Sequence, residues 1–194
     1  MFVKVCGLKT AADVEAAVSA GADAIGFVFA RSPRQVEPAA ARALAEAIPD
    51  SVLTVGVFRD LPAERAAEVA AEAGVRAVQL HGDYPREAFA HFPDHRLIRA
   101  TALSRDTDIK VGAFGEHMLL LDSAIPGSGE RWDLTGMDLP TGDWLLAGGL
   151  TPANVATAIA EAHPWGVDVS SGVEARRGVK DPAMIRDFVA AAKG

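Results

Sequence analysis

Eight short runs rich in Val, Ile and Leu, most of them followed by a turn and an alanine-rich amphipathic stretch, restrict the fold of this chain more than any other feature. In order they are Phe2–Cys6, Ala24–Phe29, Val52–Phe58, Ala77–His81, Arg96–Thr101, His117–Asp122, Trp144–Ala147 and Gly166–Ser170. They recur roughly every 20–27 residues, the length of a strand, a loop and a helix of ordinary size. Their nearly unbroken apolar character suits parallel strands that helices cover on one face and that pack into a core on the other.

The stretches between these runs carry helix start and stop signals. Thr10 can cap a helix over Ala11–Ala20, with Gly21 as its stop. Pro62 and Pro152 sit where a first helical turn tolerates a missing N–H, Thr151 is placed to cap ahead of Pro152, and Asp181 ahead of Pro182. The segment Leu103–Glu116 is the exception, with two glycines and several polar residues, so the helix after strand five is expected to be short or missing. Strict alternation of eight strands predicts an α/β fold, a single closed (β/α)8 TIM barrel over residues 1–194 and near the minimum size for one. An open doubly wound sheet is the alternative, weakened because no Gly-x-Gly-x-x-Gly follows the first strand.

Composition removes several function classes. The formal net charge is −7 and the basic residues are scattered, whereas nucleic-acid binding needs clustered Lys and Arg. A small anionic substrate remains compatible, because screening over about 8–10 Å lets a local site be positive on an acidic protein. No apolar run approaches the roughly 20 residues of a membrane helix, and the N-terminus lacks the pattern of a signal peptide. A single cysteine cannot form an internal disulfide, which fits a cytoplasmic setting. With no exposed hydrophobic stripe in the pattern, a monomer is expected.

In such a barrel the active site lies at the C-terminal ends of the strands. The polar residues that fall there are Cys6, Arg34, Gln79, His81, Asp122, Asp168, Ser170 and Ser171. Cys6 is either a small buried hydrophobe or a base or nucleophile, and the functional role needs positive character nearby, from Lys4, Arg34, helix N-termini or backbone amides. Asp122, ending Leu119-Leu120-Leu121, is a cap, a loop hydrogen-bonder or a catalytic carboxyl group. The glycine-bearing Ser123–Arg131 that follows is read as a loop that folds over substrate. Arg34 is either a solvated loop arginine or a bidentate clamp for a carboxylate. Gly148 and Gly149 after strand seven, with Ser171 and Gly172 after strand eight, either serve tight turns or bring backbone N–H groups to a phosphate. A mixed zinc site from Cys6, His81, Asp122 and Asp168 is the weaker option, since no two of these lie at ligand spacing.

Read together, these blocks resemble the phosphoribosylanthranilate isomerase family over essentially the whole chain. The matching segments are Lys4-Val5-Cys6-Gly7-Leu8-Lys9-Thr10, Gly26-Phe27-Val28-Phe29 with Ser32-Pro33-Arg34, and Val78-Gln79-Leu80-His81-Gly82. They continue with Leu121-Asp122, Pro126-Gly127-Ser128-Gly129 and Trp132-Asp133, then Leu146-Ala147-Gly148-Gly149-Leu150, Gly166-Val167-Asp168-Val169-Ser170-Ser171-Gly172-Val173-Glu174 and Gly178-Val179-Lys180-Asp181. The resemblance implies an Amadori rearrangement in tryptophan biosynthesis, needing neither metal nor organic cofactor, with Asp122 as general acid and Cys6 as general base. It further implies that Arg34 meets the anthranilate carboxylate, that Gln79, His81 and Asp168 contact substrate, and that Gly148, Gly149, Ser171 and Gly172 hold phosphate. The alternatives are a related phosphosugar isomerase of histidine biosynthesis, which is expected to carry aspartate where Cys6 stands, a bifunctional version, or a non-catalytic phosphate-binding barrel.

Overall fold

The computed structural model describes residues 1–104, 107–122 and 139–194. Eight parallel strands close on one another in sequence order, β1 beside β8. They are β1 Phe2–Cys6, β2 Ala24–Val28, β3 Leu53–Phe58, β4 Ala77–His81, β5 Arg96–Ala102, β6 Met118–Asp122, β7 Trp144–Leu146 and β8 Gly166–Val169. Closure is fixed by the pairing of Lys4 with Asp168 and of Val5 with Val169.

The unbroken apolar runs follow from burial on both faces. Val3 and Val5 of β1, Val78 and Leu80 of β4, and Val167 and Val169 of β8 belong to the core beneath the helices. Cys6, Ala77, Ile98, Leu120 and Leu145 belong to a separate cluster inside the barrel. By the two-residue period of a strand, Lys4, Gln79, His81, Asp122 and Asp168 share the inward parity of that second cluster. Below them Phe2 and Trp165 stack with ring centroids 4.6 Å apart.

Among the described residues there are five α-helices, α1 Ala11–Ala20, α2 Pro38–Ala45, α3 Ala63–Ala73, α4 Val155–Ala162 and α5 Pro182–Lys193. Two of the sequence-based caps stand as expected. Thr10 accepts from the Asp13 N–H and Gly21 takes a left-handed φ of 88° after α1, while Asp181 accepts from Ala183 and Met184 ahead of α5. Pro62 immediately precedes α3 rather than lying within it. The Thr151 cap is corrected: α4 begins at Val155. Asn154 Oδ1 accepts from the Thr151 N–H at 2.7 Å and its Nδ2 donates to the Gly149 carbonyl at 3.0 Å, so a side chain competing for local backbone groups makes a turn first.

The chain after β4 forms a 3-10 helix, Arg86–His91, because the short connection to β5 leaves no room for a longer α-helix and its loops. After β5 the described residues form no α-helix, and a charge pair occupies the space instead. Arg99, on the outward face of β5, donates to Glu116 at 2.9 Å and to the Asp108 and Lys110 carbonyls at 2.8 and 3.3 Å. Its guanidinium also lies 4.7 Å from the Phe114 ring centroid. A buried ion pair is more tolerable when further hydrogen bonds support it, and here the two carbonyls take the N–H groups of Nη2.

Candidate active site

Cys6 ends β1 with its side chain inside the barrel mouth and is 6% exposed. Space for the sulfur comes from the neighbouring strand: a Cβ on Gly26 would lie 2.9 Å from Sγ. Two residues earlier on the same face, the fully buried Lys4 donates from Nζ to Asp168 Oδ1 at 2.7 Å. Closure of the barrel makes this pair, because Lys4 and Asp168 are register partners between the first and last strands.

The electrostatics around the thiol oppose one another. Burial pushes the Cys6 thiol up from its ordinary value and Asp168 adds to the rise, while the ammonium groups of Lys4 and Lys180 pull it down; the net direction is upward. Burial alone would lower Lys4, but Asp168 and then Cys6 outweigh it and hold the ammonium in its charged form. Arg34 also lies close enough to feel the charge of Cys6. Lys4, Lys180 and Arg34 therefore offset part of the cost of a buried thiolate without overcoming it.

Arg34 is not a solvated loop arginine. Its Nε and Nη2 form a fork on the two oxygens of Glu174, at 2.6 and 3.0 Å. Glu174 also accepts from the Gly178 N–H at 3.0 Å and from Lys180 Nζ at 3.2 Å, and Lys180 donates to the Ser170 carbonyl at 2.7 Å. Neither Glu174 nor Lys180 was singled out by the sequence. Their only signal was charge within the segment after strand eight, because Arg34 and Glu174 stand 140 residues apart in the chain.

Burial opposes ionisation of Glu174, but Arg34, the Gly178 N–H and Lys180 outweigh it and hold its carboxyl at about 2, against an ordinary 4.5. The folded chain thus binds this proton more weakly than the unfolded one. The resulting stabilisation is complete above about pH 4.5 and is lost as pH falls toward 2. Glu174→Gln should lower Tm at neutral pH by a few degrees, at roughly 2–4 °C per kcal/mol in a chain of this size. It should also flatten the acid limb of the Tm–pH profile, and an unchanged limb would refute the assignment.

Asp122 ends β6 on the other side of the mouth. With Arg59, His81, Tyr84 and Thr101 it lines a cleft of about 660 Å³ at the exits of β3 to β6. Cys6 is not part of that lining. His81 links the two sides: burial and then Arg59 hold its imidazole below the ordinary value, Lys4 adds to this, and Asp168 and Asp60 oppose it. His81 is accordingly neutral near pH 7. Gln79 lies deeper on β4, 2% exposed, and its Oε1 has no hydrogen-bond partner among the described residues. Residues 123–138, which include the glycine-bearing segment expected to cover substrate and the Trp132-Asp133 block, lie outside the described residues.

The two glycine-bearing loops meet. Gly148 and Gly149 have φ of 87° and 65°. Gly172 packs so closely that a Cβ there would lie 1.8 Å from the Leu150 carbonyl oxygen. The loops after β7 and β8 thus form one surface at the recurrent phosphate end of such barrels. Among the described residues, no group of three or more His, Cys, Asp or Glu could hold a metal ion. No helix there is long and apolar enough to cross a membrane.

Comparison with known proteins places this arrangement. The sequence profile of the family N-(5'phosphoribosyl)anthranilate (PRA) isomerase matches residues 3–191. An N-(5'-phosphoribosyl)anthranilate isomerase from Symbiobacterium thermophilum is 42% identical, the match covering 100% of this chain and 99% of that protein. The crystal structure of TrpF from Jonesia denitrificans superposes with a TM-score of 0.91 at 49% identity, covering 100% of this chain and 97% of that one. A phosphoribosyl anthranilate isomerase solved in complex with reduced 1-(o-carboxyphenylamino)-1-deoxyribulose 5-phosphate superposes with a TM-score of 0.83 at 33% identity, covering 100% and 99%. With fold and full-length sequence in agreement, the chain belongs to the N-(5'-phosphoribosyl)anthranilate isomerase family.

Proposed function

We propose that this protein catalyses the Amadori rearrangement of N-(5'-phosphoribosyl)anthranilate to 1-(2-carboxyphenylamino)-1-deoxyribulose 5-phosphate in tryptophan biosynthesis, with Asp122 as general acid and Cys6 as general base. The observation that carries the reading is a buried thiol facing Lys4, Lys180 and Arg34 at the exit of β1, in a chain of this family. Asp122 gives its proton to the ribose ring oxygen; the C1–O bond breaks and the nitrogen lone pair forms a protonated imine. That imine acidifies the C2 proton, which the Cys6 thiolate removes, and the electron pair moves toward nitrogen to give an enolamine. Tautomerisation returns a proton to C1 and leaves the ketone at C2, so substrate and product are isomers. Each positioned proton transfer supplies about 10²–10⁴ in rate.

In this reading Arg34 meets the anthranilate carboxylate, and Asp168, held by Lys4, faces the substrate amine or hydroxyls. His81 and Gln79 contact the substrate from β4, the former as a neutral imidazole. The backbone around Gly148, Gly149, Ser171 and Gly172 receives the phosphate, as glycine loops beside strand ends do for anions. Gly172→Ala tests that last part. Its new methyl would meet a backbone oxygen that no side-chain rotation can move, so the loops must part. Inhibition by inorganic phosphate should weaken about tenfold, near the loss of one charge-assisted hydrogen bond. Unchanged phosphate inhibition in a folded variant would remove Gly172 from the phosphate site. We further propose a cytoplasmic monomer: the single thiol fits a reducing compartment, and the large hydrophobic residues exposed among those described are Met1 and Val179.

The deciding experiment is a steady-state assay following loss of the aminoaldose substrate, run in parallel with the corresponding histidine-pathway aminoaldose. Turnover of the anthranilate compound is expected. Turnover of the second substrate alone, or binding without turnover, would overturn the reading.

A further inference from the structure

The fork between Arg34 and Glu174 uses only one edge of the guanidinium. Of its five donors, Nε and one N–H of Nη2 go to Glu174, leaving the two N–H groups of Nη1 and the second of Nη2. None of those three is taken by a described residue, and the remaining N–H of Nη2 with the parallel one of Nη1 forms the end-on edge that suits a second carboxylate. We infer that Glu174 is a positioning residue that presents the end-on face of Arg34 to the carboxylate of the substrate. The inference rests on the proposed role of Arg34 and adds to it a residue that need not touch substrate.

Both ends of the arrangement are held. The stem of Arg34 lies over Gly7, whose φ is +80° and whose missing Cβ would come within 2.8 Å of Arg34 Cδ. Ser32 Oγ accepts from the Arg34 N–H, and Lys9 Nζ grips the Pro33 carbonyl at 2.8 Å. Gly178 packs against Pro33, where a Cβ would lie 2.9 Å from the Pro33 carbonyl oxygen. Glu174 is anchored from behind by the Gly178 N–H and Lys180, so its carboxylate cannot follow Arg34 outward. The loop after β2 is thus clasped to the segment after β8, with Glu174 at the centre.

Charge makes the inference testable by sign. Arg34 and Lys180 supply two positive charges and Glu174 one negative, a local sum of +1. If Glu174 mattered only through its charge, removing it would raise that sum to +2 and tighten anion binding. If it matters by aiming Arg34, removing it must weaken binding of the carboxylate while leaving the phosphate grip alone.

Steady-state kinetics on the full chain, with anthranilate and inorganic phosphate as competitive inhibitors, separate the two. For Glu174→Gln we expect KM and the inhibition constant of anthranilate to rise about five- to tenfold, as for a loosened bidentate contact, with kcat within about threefold and phosphate inhibition within about twofold. Glu174→Asp keeps the charge but draws the fork back by one methylene, and should raise the same two constants, so it carries the test if the glutamine variant fails to fold. A fall or no change in KM and anthranilate inhibition in both variants would overturn the inference. Arg34→Met distinguishes its failure from that of the underlying reading. If that variant leaves anthranilate inhibition unchanged, Arg34 is not the carboxylate site; if it weakens inhibition while both Glu174 variants do not, Arg34 binds without help from Glu174.

Discussion

Cys6→Ser should lower turnover by about a hundredfold or more, because a hydroxyl is far too weakly acidic to act as the anionic base that a thiol can become. The substitution is conservative in shape. Oγ is smaller than Sγ, and it enters a space already opened by Gly26, so the barrel should keep its Tm within a few degrees. The loss should appear in kcat and in kcat/KM together, the pattern of an interaction made only in the transition state. The wild-type pH profile carries the same signature. Burial and Asp168 raise the thiol, while Lys4 and Lys180 oppose the rise and Arg34 lies nearby. A base whose pKa lies above its ordinary value is mostly protonated at neutrality, so kcat/KM of the free enzyme should climb with pH through the neutral range as thiolate forms. The serine variant should lose that climb. Near-wild-type turnover in Cys6→Ser would end the assignment of Cys6 as base.

Asp122→Asn should be as severe for a different reason. The amide keeps the shape of the side chain and cannot give up a proton as an acid, so ring opening loses its donor and kcat should fall about 10²–10⁴-fold. Little else should change. Leu119, Leu120 and Leu121 are buried, and β6 is paired on both sides, with Ala102 beside Asp122 on β5. The Asp122 carbonyl also accepts from the Leu103 N–H at 3.0 Å. This rigid strand end holds the backbone whatever the side chain, so KM should stay within about tenfold of wild type. Strong residual turnover would mean that another group in the same cleft donates the proton.

The two variants probe opposite sides of the barrel mouth. Cys6 sits on the β1–β8 side among cations, and Asp122 lines the cleft at the exits of β3 to β6. A loss in one variant with near-normal turnover in the other would separate deprotonation at C2 from ring opening. If both fall, the acid–base pair acts across the mouth on a single substrate.

Local features carried most of the architecture. The eight strands stand within one or two residues of the apolar runs that predicted them, because a strand buried on both faces leaves its mark on consecutive residues. Thr10, Gly21 and Asp181 work where expected, because a cap is settled by three or four neighbours in the chain. The readings that failed had a different cause. The start of α4 moved because Asn154 bonds back to Gly149 and Thr151, and the connection after β4 tightened into a 3-10 turn. In both places a local signal compatible with an α-helix lost to the geometry of the connection.

The site divides along the same line. The sequence by itself determined which polar side chains stand at strand exits, and so brought Cys6, Asp122, His81 and Asp168 to one end of the barrel. Only the tertiary structure decided what each of them meets there. Lys4 finds Asp168 across 164 residues and Arg34 finds Glu174 across 140, pairings that exist because the first strand closes against the last. Periodicity is a property of neighbours in the chain and can be read from it. The charge around Cys6 is only partly such a property: Lys4 stands two residues away on the same strand, whereas Asp168 and Lys180 reach the thiol only because β8 closes against β1.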